Sequence, residues 1–305
     1  MTAVAEPGAM PDHAGISFLW LEITGKCQLE CVHCYADSSP RGDHGAMRTE
    51  DWIRVIDEAA SAGVRIVQFI GGEPTLHPDL PDLILHAQLR ELAVEVYTNL
   101  VHVTDELWSV FARPGVSLAT SYYSDEPEQH LAITRRPTYS RTKANIAKAV
   151  RRGIHIRAGV VDMGGAQRAD GANDELVRLG VPSIGRDRLR QVGRGIRDAG
   201  ESVTQLCGQC GQGVAAIGPD GSVWPCVFSR WLPVGNVLNT ALSDILAGRE
   251  ANRVQAELRA EFDQRIVTMP CVPNMCDPQC GPSCSPACRP AGNCRPVGAC
   301  SPDYR

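Results

Sequence analysis

From Ile16 to about Gly195 the chain alternates short β-rich apolar runs with longer stretches whose apolar residues recur at helical spacing. The run 16–23, ISFLWLEI, predicts the first strand. Trp52, Val55, Ile56 and Ala59 mark one face of a helix over 49–62, opened by Thr-Glu-Asp and closed at Gly63. Further strands are predicted at 64–70, 92–98, 116–123 and 154–163, and helices at 79–89, 104–112, 140–153 and 173–180. This rhythm predicts an α/β fold whose parallel sheet is built from right-handed βαβ units. About six repeats point to a partial or closed barrel, with its chemistry at the C-terminal strand ends.

The pattern changes after Gly195. Residues 214–226, VAAIGPDGSVWPC, read as a hairpin around Pro-Asp-Gly, and 240–262 as one or two helices. In the tail every cysteine from Cys271 onward is followed two residues later by proline, a density that forbids both helix and strand ladders. Metal coordination is what could order such a tail. The expected organisation is a flexible lead-in over 1–15, a core over 16–200 and a small Cys-rich hairpin/helix module over 201–305. No separate leader-peptide-binding domain is expected before the first strand. The lead-in also lacks the basic start and apolar segment of a signal peptide. No apolar run approaches the ~20 residues of a membrane span.

Composition narrows the classes. With 305 residues, 43% hydrophobic and 21% charged, the chain can bury a core without disulfides. A formal charge of −5 with no basic run argues against a nucleic-acid surface. The expected location is the cytoplasm, where thiols stay reduced. Thirteen cysteines then point to metal, and they are clustered: three at 27–34, then Cys207, Cys210 and Cys226, and seven between 271 and 300.

Cys27, Cys31 and Cys34 follow directly on the first strand. Thiolates suit iron–sulfur clusters and zinc. A structural zinc takes four ligands, which here would need His33 or a distant residue. Three thiolates on a four-iron cluster would instead leave one iron open to an exogenous ligand. Gly71-Gly72-Glu73-Pro74 follows the second strand. Its glycines allow close backbone approach, and its carboxylate can pair with an ammonium.

The C-x3-C-x2-C spacing, with the Gly-Gly-Glu-Pro turn after the next strand, resembles the radical S-adenosylmethionine (radical SAM) superfamily. That resemblance implies a partial (βα)6 barrel holding a [4Fe–4S] cluster whose open iron chelates SAM. It implies reductive cleavage of SAM to methionine and a 5′-deoxyadenosyl radical that abstracts hydrogen from substrate. It places His33 and Tyr35 near adenine, and Gly71, Gly72, Glu73 and Pro74 at the SAM amino group. Thr98 and Asn99 at the third strand end could face the site. Ser121 and Arg135 would meet the ribose and carboxylate, although Ser-Tyr-Tyr-Ser-Asp stands where Ser-(Leu/Ile)-Asp-Gly is usual.

Cys210, Gly221 and Cys226 resemble the opening of SPASM and twitch modules, which bind auxiliary iron–sulfur clusters, and Cys207 is an equally good first ligand. Cys271, Cys276, Cys280, Cys284, Cys288, Cys294 and Cys300 depart from the usual continuation, since no C-x2-C occurs among them. One or two auxiliary clusters are expected. A cysteine left free could donate a hydrogen atom to substrate. The resemblance implies a natural-product precursor as substrate, first of all a ribosomally made peptide, and a flavodoxin or ferredoxin as electron donor. The rival readings are an epimerase or dehydrogenase of sugars or aminoglycosides, and a zinc-binding structural protein.

Overall fold

A computed structural model describes residues 16–198 and 200–268. The seven tail cysteines, Cys271 to Cys300, lie outside the described residues. Six strands pair in parallel and in chain order: β1 (Phe18–Thr24), β2 (Ile66–Gly71), β3 (Ala93–Tyr97), β4 (Val116–Tyr122), β5 (Ile156–Asp162) and β6 (Ser183–Arg188). Between them run α1 (Thr49–Ser61), α2 (Leu80–Leu89), α3 (Asp105–Phe111), α4 (Pro127–Thr134), α5 (Tyr139–Arg151) and α6 (Ala169–Arg178). The sheet stays open, with β6 at one edge, so the barrel is partial.

The C-terminal module continues this sheet. β7 (Val214–Ile217) adds in parallel to β1, then β8 (Ser222–Trp224) and β9 (Gly235–Asn236) follow antiparallel. The stretch after the hairpin forms two helices, α7 (Leu242–Ala247) and α8 (Arg249–Thr268). No helix among the described residues is long and apolar enough to cross a membrane.

Two elements go beyond the periodic pattern. In β6 the sequence SIGRDR carries ion-paired Arg186, bound to Asp162 and Asp170, so the edge strand is polar and half exposed. In α4 the inward side carries His130, Ile133 and Thr134 while Leu131 is exposed, so no apolar stripe marks the helix.

Alternation along the strands separates two environments. One face presents Leu19, Leu21, Ile23, Val67, Phe69, Val94, Val96 and Leu118, which join Trp52, Val55, Ile56, Leu83 and Ile84 in the core. Each fully buried large side chain contributes roughly 1.5–3 kcal/mol. The register places Trp20, Gln68 and Glu95 in one row of the opposite face, with Glu22 one pleat on. That face is polar and buried. Gln68 donates to Glu95, and Arg157 makes a two-pronged contact with the same carboxylate at 2.8 Å. Glu22 pairs with Arg230 from the segment after β8 at 2.5 Å.

Candidate active site

The loop after β1 has little regular structure, so its shape comes from outside donors and acceptors. Cys27 N–H donates to the Ser39 carbonyl (3.1 Å). Glu30 and Val32 N–H donate to the carbonyls of Thr134 (3.2 Å) and Ile133 (3.0 Å) at the end of α4. These are carbonyls a helix end leaves without intrahelical partners. The thiols also receive donors: Leu29 N–H on Cys27 Sγ (3.4 Å), Ser38 N–H on Cys34 Sγ (3.4 Å) and Asn99 Nδ2 on Cys27 Sγ (3.7 Å). Donors to sulfur stabilise thiolate ligands and tune the potential of a cluster they hold.

Burial pushes the Cys31 thiol up to about 12, reinforced by Cys34 beside it. Cys27 is driven up the same way, by burial and then by the Glu73 carboxylate. Metal ligation there would have to displace these protons. Three thiols on one loop, with donors to the sulfurs of Cys27 and Cys34, are the donor set a four-iron cluster takes with one iron left open, whereas a structural zinc needs a fourth protein ligand.

Gly71 ends the β2–β1 ladder opposite Thr24, and Gly72 carries the pairing past the strand ends. Gly72 N–H donates to the Thr24 carbonyl (2.7 Å), and Glu73 N–H to the Lys26 carbonyl (2.9 Å). A Cβ on Gly72 would lie 2.3 Å from the Lys26 carbonyl oxygen, and Gly71 has φ +129°. The close approach that the glycines permit is thus made to the backbone leading into Cys27. Glu73 is fully buried and starts the turn Pro74–Leu76. Its Oε1 accepts from Thr75 N–H (3.1 Å), Thr75 Oγ1 (2.7 Å) and Thr98 Oγ1 (2.6 Å), and its Oε2 from Asn99 N–H (2.8 Å). Burial pushes its carboxyl up, against the pull of these donors. Thr98 and Asn99 thus clamp the second strand end to the third, and Asn99 also bonds Gln28 beside Cys27 (3.1 Å).

The other expected residues occupy different surroundings. His33 is held neutral by burial, its pKa lowered to about 4, and its ring packs edge-on to Tyr123 at 5.1 Å. Tyr35 is directed toward Glu22 and packs against Phe228, with ring centroids 5.1 Å apart. Ser121 bonds the Tyr97 hydroxyl at 2.9 Å and lies against the phenol of Tyr123, which meets Cys31. Arg135 is exposed in the left-handed C-cap of α4 (φ 61°).

Sequence reasoning missed Gly193 and Arg194. Arg194 N–H donates to the Cys34 carbonyl (3.0 Å), Nε to the Cys31 carbonyl (2.9 Å), Nη1 to Asp37 (2.6 Å) and Nη2 to the Ser38 carbonyl (2.6 Å). Gly193, with φ +56°, leaves room for this clamp, since a Cβ there would sit 2.4 Å from the Tyr35 carbonyl oxygen. The polar face of Glu22, Gln68, Glu95 and Arg157 was also missed. Polar residues recurring at alternate positions of otherwise apolar strands were the available signal. In the C-terminal module the structure brings three thiols together: Cys210 Sγ and Cys226 Sγ are 3.0 Å apart, and Cys207 contacts Cys210.

The sequence model of the radical SAM superfamily matches residues 21–169, and that of the SPASM iron–sulfur cluster-binding domain matches residues 199–285. The chain carries a radical SAM domain followed by a SPASM domain. Radical SAM and SPASM domains imply [4Fe–4S] clusters and SAM as cofactors. The chain is 29% identical over 181 residues to the PqqA peptide cyclase of Streptomyces rochei, covering 58% of the chain and 50% of the relative. It is 34% identical over 95 residues to the Fe-coproporphyrin III synthase of Methanosarcina barkeri, covering 31% of the chain and 24% of the relative. The matches thus span between a quarter and a half of these relatives' length. The fold resembles that of Streptococcus suis SuiB bound to precursor peptide SuiA, with TM-score 0.68 and 15% identity over 81% of this chain and 68% of SuiB.

Proposed function

We propose that this protein cleaves SAM reductively and abstracts hydrogen from an unactivated C–H bond of a ribosomally made precursor peptide, leaving a crosslink, a thioether or an epimerised residue. The observation that carries the chemistry is the three-thiol loop at the end of β1, with donors aimed at its sulfurs. A four-iron cluster held there would supply the electron for reductive cleavage of SAM to methionine and a 5′-deoxyadenosyl radical. Cys27, Cys31 and Cys34 would hold the cluster, while Asn99 orients Cys27 and Arg194 fixes the loop backbone. Glu73, Thr98 and the Gly71-Gly72 turn keep three strand ends in register, and the second lone pair of Glu73 Oε2 is assigned to the SAM ammonium. His33 within the loop, and Ser121 and Arg135 on neighbouring segments, are assigned to the rest of SAM, and Pro74 to the turn that carries Glu73. Tyr35 is assigned to the wall between the two modules.

Cys207, Cys210 and Cys226 would ligate an auxiliary cluster, completed from the tail. The peptide reading is supported by the name of the S. rochei relative and by the SuiB–SuiA complex. The ionic face of Glu22, Glu95, Arg157 and Arg230 gives a second reading some ground, because it also suits a sugar-like substrate. An oxygen-sensitive cluster fits a reducing cytoplasm and a flavodoxin or ferredoxin donor.

Incubation with SAM and dithionite in deuterated water, followed by mass spectrometry, tests these readings. Gain of one deuterium identifies epimerisation, and loss of two hydrogens identifies a crosslink or an oxidation. A colourless protein that contains zinc and forms no 5′-deoxyadenosine defeats the proposal.

A further inference from the structure

One stretch of the enclosed polar face has incomplete hydrogen bonding. The register sets Trp224 of β8 beside Ala216, Ala216 beside Trp20 and Trp20 beside Gln68, so four strands share one row. Ile217 pairs with Leu21, so the chain next reaches Gly218 on one side and Glu22 on the other. A Cβ on Gly218 would lie 2.4 Å from Trp224 Cη2, so the glycine leaves this space to the indole. Arg230 closes the stack. Its guanidinium carbon lies 4.5 Å from the Trp224 ring centroid, and its Nη1 lies 2.5 Å from Glu22 Oε2.

A guanidinium carries five N–H donors in a planar fork, and Glu22 engages one nitrogen. No other partner of the Arg230 guanidinium lies within hydrogen-bond distance among the described residues, and its side chain is 25% exposed. Buried polar atoms close by are also unpartnered among these residues: Trp20 Nε1, Glu22 Oε1 and the Tyr35 hydroxyl. Trp20 and Glu22 are 6% and 1% exposed. The Tyr35 hydroxyl is directed toward Glu22, and a small shift would satisfy that oxygen. The surplus is then of donors, the indole N–H and the outer N–H groups of Arg230. Buried polar groups are as a rule satisfied, so surplus donors call for a ligand that brings acceptors.

The place suits a substrate. Tyr35 adjoins Cys34, and its ring packs at 5.1 Å on Phe228, two residues after Cys226. Arg230 thus stands where the cysteine loop meets the hairpin that carries the second group of thiols.

We propose that Arg230 anchors an acidic side chain of the precursor peptide, with the Trp20 indole N–H as a second donor. The inference rests on the peptide reading above. Glu22 and Trp224 fix the guanidinium before the peptide arrives, and its planar fork matches a carboxylate. An Asp or Glu of the peptide would be held here while a neighbouring C–H bond meets the radical.

The test presents a randomised displayed peptide library to anaerobic wild-type holoprotein with SAM. Selected peptides should carry Asp or Glu at one position. The tightest binder is then made with that residue and with its Asn or Gln counterpart. Both are titrated against wild type, Arg230→Met and Arg230→Lys by fluorescence anisotropy. On the wild type the amide peptide should bind roughly tenfold or more weakly, the scale of a hydrogen bond between charged groups. Arg230→Met should weaken the acidic peptide by the same factor and leave the amide peptide within about twofold. Arg230→Lys, which keeps the charge and loses the fork, should fall between. A residue that only joined the two modules would weaken both peptides alike. Arg230→Met/Glu22→Gln repeats the measurement without a lone buried carboxylate, which guards against a poorly folded single variant. Equal losses for the two peptides in these variants overturn the proposal, and so does a selection with no acidic preference. A protein that forms 5′-deoxyadenosine with dithionite but selects no peptide overturns the peptide reading and this subsite with it. One that forms none overturns the radical SAM reading instead.

Discussion

The two groups of cysteines within the described residues are held in opposite ways. Cys27, Cys31 and Cys34 sit on an irregular loop tied down by the end of α4, by Asn99 after β3 and by Arg194 after β6. Cys210 and Cys226 are brought together by one local hairpin, and Cys226 is fixed by its neighbour Ser229, whose Oγ lies 3.0 Å from the Cys226 nitrogen. The first site is a product of the whole fold. The second is nearly a product of its own local sequence. Changes far from the first site in sequence should therefore damage it, whereas the second should answer mainly to its own residues.

The largest expected effect separates the two directly. Cys27→Ala, Cys31→Ala and Cys34→Ala combined should reduce 5′-deoxyadenosine to background while iron and sulfide fall by one cluster only. Cys210→Ala with Cys226→Ala should lower iron as well, yet leave dithionite-driven SAM cleavage of the same order as wild type. Equal loss in both variants would erase the distinction.

Next comes the clamp that ties the strand ends. Glu73→Ala leaves four donors without their acceptor. In urea unfolding it should cost roughly 3–5 kcal/mol, the combined scale for leaving several buried neutral donors without an acceptor. A loss under about 1 kcal/mol would mean that the donors find other partners and that the clamp is not a unit.

Arg194→Gln should be milder in stability, about 1–3 kcal/mol, because its acceptors are mostly backbone carbonyls near solvent. Its effect should concentrate on the loop. Amide exchange over residues 30–38 of iron-free protein should speed up while exchange in the hairpin stays unchanged. Parallel changes in both regions would contradict the local role of Arg194.

The effect that is silent at neutral pH concerns the packing under α4, whose end holds the loop. His130 is buried there, and desolvation lowers its pKa to about 4. An unfolded histidine titrates near ~6.5, so on acidification the unfolded chain takes up the proton first. Stability should be complete above about pH 6.5 and decline toward pH 4 by roughly 2–3 kcal/mol, and His130→Gln should flatten that slope. Equal slopes in urea unfolding of the two proteins would remove His130 from the account.

Much of this was legible in the sequence. The strands β1 to β5 showed as apolar runs, and the cysteine loop and the Gly-Gly-Glu-Pro turn fell after the first two, where the structure puts them. What escaped notice was of two kinds. Polar residues on the enclosed face, such as Gln68 and Arg157, interrupt strands singly and look like noise until the register aligns them. Arg194 is separated from Cys31 by 163 residues, and nothing in a Gly-Arg-Gly triplet announces the carbonyls it will meet. The purpose of Gly71 and Gly72 was half legible: a close approach was evident, but its partner, the chain entering the cysteine loop, was not.

The pairing of β7 with β1 has a consequence for the order of synthesis. Ser17 and Gly213, which meet at the start of that ladder, are 196 residues apart in the chain. During translation the first strand emerges early with one edge unfilled, and it stays so until the hairpin leaves the ribosome. An open edge recruits other strands, so the nascent chain is exposed to mispairing for most of its elongation. A truncation before residue 214 would fix that state permanently. The hairpin is therefore a late-arriving cover for the strand from which the cysteine loop departs.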